Sequence, residues 1–177
     1  MKTIWIIAGA VVLCAGLYFG VTHFMTSKNE KAGAQADKAT AENASSTPSV
    51  LGLNASSSEE DVIDVMHKMS HQKIKADQKW GAAVLSQKNA AEVYALINNS
   101  HFKDKSDLLE IAERWKNRDF NSAVSDHNYF WKKLKGTIGK AYGKLSAEEE
   151  HTYCVKEYGE ETAAAMVASN DLAPVKQ

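Results

Sequence analysis

Cysteine and proline are each present only twice in the 177 residues, and glycine ten times. Cys14 lies in an apolar run and Cys154 far along the chain, so a disulfide between them is not expected and no cysteine-based metal motif exists. The two prolines stand at positions 48 and 174, and between them nothing of that kind interrupts a helix. Glycine appears between 59 and 159 only at Gly81, Gly136, Gly139, Gly143 and Gly159. Net charge is also lacking. Residues 59–159 carry 16 Lys+Arg against 16 Asp+Glu, which argues against a nucleic-acid binder driven by overall positive charge. Nucleic acid is therefore not expected as a partner.

What is present begins with "TIWIIAGAVVLCAGLYFGVTHFM", Thr3 to Met25, 23 residues without a formal charge. As a helix it would extend roughly 34 Å, enough for a bilayer core of about 30 Å. The apolar part of a cleaved signal peptide usually runs about 7–15 residues. The small-residue sites at Ala32-Gly33-Ala34 and Ala34-Gln35-Ala36 lie well past this run. An uncleaved anchor is the preferred reading: a single-pass protein of the cell membrane. Lys2 before the run, against Lys28, Lys31 and Lys38 after it, leans towards a cytoplasmic domain. The position at the extreme N-terminus resembles an export signal instead, and the reading adopted is an extracytoplasmic domain.

Residues 27–58 are rich in Ser, Ala, Asn, Lys and Glu, and they read as a flexible linker. From 59 to 159 the apolar spacing is helical. Helices are expected over 59–79, 87–98, 107–116 and 121–135, with a fifth starting at the capping box of Ser146 and Glu149. In the first, Val62, Met66, Met69, Ala76 and Trp80 form the apolar stripe. Residues 160–177 read as an Ala-rich, partly helical tail. The expected fold is all-α: an N-terminal transmembrane helix (1–26), a linker (27–58), a small bundle of about five helices (59–159) and a tail.

Histidine carries the most chemistry. His67 and His71 are spaced to share one metal ion, although Lys68, Met69 and Ser70 between them exclude the zinc-protease pattern. At 100° per residue they fall about 140° and 180° from Val62, on the shoulder of the stripe and turning to solvent. His127 falls inside the apolar stripe of the fourth helix, where histidine is more often a hydrogen-bonded packing residue. Together His67, His71 and His127 form a candidate site for zinc or another transition metal, with Asp126 as support. It requires the three imidazoles to converge on one point. His101 reads as a loop residue and His151 as a packing one.

"GTIGKAYG" (136–143) fails as a phosphate loop, since Leu134 and Ala141 stand where glycine and Ser or Thr are needed. Around it, Lys132, Lys133, Lys135, Lys140 and Lys144 interleave with Tyr129, Trp131 and Tyr142, without an acid from 127 to 146. This segment is a candidate surface for an unidentified protein or an anionic partner of the cell envelope. No catalytic set assembles by spacing, so the reading leans to a non-enzymatic binding module.

The segments "VIDVMHKMSHQKIKADQKWG" (62–81), "LLEIAERWKN" (108–117) and "DHNYFWKKLKGTIGKAYGKLSAEEE" (126–150) resemble an uncharacterised family of bacterial single-pass membrane proteins. The resemblance implies an architecture and a bacterial origin, and no catalytic residues.

Overall fold

The computed structural model describes residues 49–175. The expected anchor, and the linker up to residue 48, lie outside the described residues. Among those described, no helix is long and apolar enough to cross a membrane. Six helices follow: α1 Glu59–Ser70, α2 Gln87–Asn98, α3 Lys105–Lys116, α4 Ala123–Lys133, α5 Ala147–Tyr158 and α6 Glu160–Ala168. The all-α expectation holds for this region, with one addition. Strands β1 (Ile74–Lys75) and β2 (Gly143–Lys144) form a two-residue antiparallel pair, Ile74 opposite Lys144.

Local chemistry fixes the starts of α1 and α5. The Ser58 hydroxyl accepts from the Asp61 amide at 3.2 Å, and the Asp61 carboxylate accepts from the Ser58 amide at 2.9 Å. Ser146 and Glu149 repeat the arrangement. Val62, Met66 and Met69, each wholly buried, carry the inner face of α1. They meet Val93 and Ile97 of α2, Leu108, Ile111 and Trp115 of α3, and Phe130 of α4 in one core. Trp115 and Phe130 pack edge to face, centroids 5.8 Å apart. Each such buried side chain contributes roughly 1.5–3 kcal/mol.

α1 stops at Ser70, nine residues short of the expected end at Lys79, and continues as a 3-10 turn, His71–Lys73, into β1. Distant contacts stop it. The buried Gln72 amide donates to the Leu85 carbonyl at 3.2 Å and accepts from the Leu85 amide at 3.0 Å. The Tyr142 and Leu145 amides bond the Lys75 and Lys73 carbonyls. Trp80 therefore leaves the expected stripe and is 68% exposed, and Tyr142 is 67% exposed.

The segment expected as a tail contains α6. Ala163, Met166 and Leu172 are buried with Cys154 in a second core between α5 and α6. Beyond α6, the Asp171 carboxylate accepts from the first amide of α2, Gln87, at 2.8 Å. At the other end of the described chain, Leu53 joins the main core.

Candidate functional site

α1 packs against α4, and the contact carries three histidines. The ring centroids of His67 and His71 lie 4.8 Å apart, those of His67 and His127 4.5 Å, and those of His71 and His127 5.4 Å. One ring nitrogen from each lies within 4.8 Å of the other two. His71 is 1% exposed and His127 wholly buried, while His67 is half-buried. The sequence wheel turned His71 towards solvent. Its phase fails because α1 ends one residue earlier and the loop after β1 closes over the ring.

Backbone carbonyls orient two of the rings. His71 Nδ1 lies 2.9 Å from the Gly81 carbonyl and His127 Nε2 lies 3.0 Å from that of Gly139. A carbonyl only accepts, so each of these nitrogens donates. That leaves His71 Nε2 and His127 Nδ1 as lone-pair atoms in neutral rings. His67 Nε2 is buried without any partner. Burial holds the rings neutral: it pushes His67 down to about 3, helped by its two histidine neighbours and Lys68, and His127 to about 4. His71 is lowered too, again chiefly by burial and against the Gly81 bond.

Ser70 adds a conflict. Its hydroxyl lies 2.6 Å from the His67 carbonyl and 2.9 Å from His127 Nδ1, so one proton faces two acceptors. Either choice leaves a buried acceptor short, at a cost of about 1–3 kcal/mol.

Two loops present the orienting carbonyls: 76–86, after β1, and 134–142, before β2. Gly81 and Gly139 both have positive φ, 75° and 84°. At Gly139 a Cβ would also stand 2.5 Å from the Gln78 carbonyl oxygen, so glycine is required for conformation and for space. Successive side chains of α4 fasten the second loop. The Trp131 indole donates to the Ile138 carbonyl at 2.8 Å, and the Asn128 amide bonds both the Ala141 amide and carbonyl.

Chemically, the site offers three neutral imidazole nitrogens, a donor set suited to zinc, copper, nickel, cobalt or iron. Nitrogens bound to a tetrahedral zinc at 2.0–2.1 Å stand about 3.3 Å apart, so ring nitrogens now up to 4.8 Å apart must draw inward to meet one ion.

Asp126, expected as support for the histidines, points elsewhere. It is 2% exposed, accepts from Arg114 at 2.6 Å and from the Trp115 indole at 2.9 Å, and so ties α4 to α3. His101 is exposed and His151 half-buried; neither joins the cluster. Of the lysine–aromatic surface, Lys133 pairs with Asp104 at 2.5 Å and lies over the Tyr129 ring, while Lys140 sits 6.0 Å from the half-buried Trp131 ring. Lys132, Lys135 and Lys144 are exposed. The sequence reading missed Ser70, Gly81 and Gly139 as parts of the site; only Gly139 had a signal, the glycine recurring in "GTIG".

Residues 66–155, half of the chain, match the family of unknown function DUF6241, which contains the histidine cluster and both loops. The chain belongs to that family. No curated protein and no solved structure matches it.

Proposed function

We propose that this domain is a non-enzymatic module that binds one transition-metal ion, zinc foremost, through His67, His71 and His127. The observation that carries the reading is the orphaned His67 Nε2 beside two rings whose other nitrogens donate to carbonyls. Imidazoles that hold a metal almost always donate their second ring N–H in this way. An ion taking His67 Nε2, His71 Nε2 and His127 Nδ1 would partner the orphan and free the Ser70 hydroxyl for the His67 carbonyl. The burial of His71 and His127 supports a holding role for the metal over catalysis, because a substrate could approach only past His67. The uncharged run at 3–25 supports a membrane-anchored protein with this domain beyond the linker.

The test is metal content and zinc titration of the purified chain, beside His67→Gln. One ion per chain is expected, with affinity falling at least about tenfold in the variant, the usual scale for a lost ligand contact or its support. Neither bound metal nor a zinc-dependent rise in unfolding temperature would remove the reading.

A further inference from the structure

Three of the four large apolar side chains that stand well exposed in the described residues belong to the two loops over the histidines: Trp80 (68%), Ile138 (50%) and Tyr142 (67%). The two loops are neighbours. The Gln78 carbonyl, two residues before Trp80, abuts Gly139, one residue after Ile138, and the Tyr142 amide bonds the Lys75 carbonyl at 2.9 Å. Nor are they loosely displayed, since side chains of α4 fix the carbonyls of Ile138, Gly139 and Ala141. A fastened loop that holds isoleucine and tyrosine outward, beside a second that presents tryptophan, needs an explanation, because a fold left to itself turns such groups inward.

The charges around them give one. Lys132, Lys135, Lys140 and Lys144 are exposed, and none has a carboxylate partner among the described residues. Nearby acids are few: Asp77 on the first loop, Glu157, whose charge acts on Lys79, and Glu148 to Glu150 at the start of α5, of which Glu149 and Glu150 are taken by Lys75 and Lys73. We propose that Trp80, Ile138 and Tyr142 form a tip that inserts into the headgroup region of an anionic bilayer, with Lys135, Lys140 and Lys144 against the acidic lipids. Three side chains are too few for a stable protein interface, which covers about 800 Å² on each partner. They suit a bilayer surface, where tryptophan and tyrosine rings sit at headgroup level and each nearby lysine adds about 1 kcal/mol. An anionic polymer would satisfy the lysines and leave Ile138 without a use.

The inference is independent of metal. Its test uses the full chain carrying Ile138→Cys and Cys14→Ser, labelled with an environment-sensitive fluorophore and reconstituted into vesicles. Whatever inserts at 3–25, only the tip is reported. A blue shift is expected with 30% phosphatidylglycerol and none with phosphatidylcholine alone. Half-molar salt, or Lys135→Glu with Lys140→Glu, should abolish it. A second protein keeps Ile138, carries Trp5→Phe so that no indole lies at 3–25, and reads quenching by brominated lipid that Trp80→Phe should remove, guarding against a label artefact. No shift and no quenching on anionic vesicles, or equal signals on both compositions, would overturn the proposal. So would a signal produced by a soluble anionic polymer and absent with lipid.

Discussion

At the scale of the residue, the histidine cluster makes a statement about pH. Rings held below their ordinary 6.5, with His67 near 3 and His127 near 4, are neutral in the fold and take up protons only at a cost. The unfolded chain binds protons from about pH 6.5 downward, so the stability these groups contribute is complete above that pH. It is lost as pH falls towards 4. Lys68 and Lys79 face the cluster and reinforce the effect on His71, while Asp64 opposes it. For the chelator-treated protein, urea midpoints should fall steadily between pH 6.5 and 4.5, and His67→Gln should flatten that slope. An unchanged slope in the variant would place the acid sensitivity elsewhere. The i, i+4 pair and the core-facing His127 were legible because each follows from helical periodicity alone. Their convergence was legible only as a condition, since it depends on α1 meeting α4. Asp126 was misread for a related reason: the wheel assumed one buried face on α4, and α3 covers a second.

At the scale of the element, the sequence disclosed the starts of α1, α2 and α5 and the ends of α2 and α3. Serine caps with an acid three positions on mark α1 and α5 from local chemistry, and the structure starts both helices there. The end of α1 had no local mark: neither glycine nor proline follows Ser70, and a stripe can be drawn through to Trp80. What ends the helix is Gln72, through bonds to a residue 13 positions away and to Glu150, 78 away. Gln72→Ala should strand the buried Leu85 amide and carbonyl and cost about 2–4 kcal/mol. In hydrogen exchange, the amides of 76–86 should open sooner while those of α2 and α3 keep their protection. Equal exchange in loop and helices would mean that Gln72 only fills space.

For the whole molecule, the family match and the folded unit have different limits. The match closes at residue 155, yet Cys154 is buried by Ala163, Met166 and Leu172, and Asp171 bonds the first amide of α2. A chain stopped after Gly159 should lose roughly 3–6 kcal/mol, from the burial of Met166 and Leu172. It should also expose a thiol that burial now pushes up to about 12. Peptide-level alkylation should find Cys154 inert in the full chain and reactive in the shortened one. Inertness in both would show that α5 covers the sulfur alone. The alanine-rich composition of α6 concealed this, because small residues pack closely without an apolar stripe to announce it.

The carbonyls of Gly81 and Gly139 belong to two places at once. Each receives a ring N–H from the cluster, and each is the backbone of a loop that carries Trp80 or Ile138 to the surface. A ring that tilts pulls its carbonyl, and a loop that settles on a surface steadies its ring. Thermodynamics makes that traffic symmetrical: whatever free energy an event at the histidines lends to the loops, an event at the loops returns in equal measure. Buried ring nitrogens and the domain's most exposed aromatic side chain are thus the two ends of one lever, and the glycines are its fulcrum.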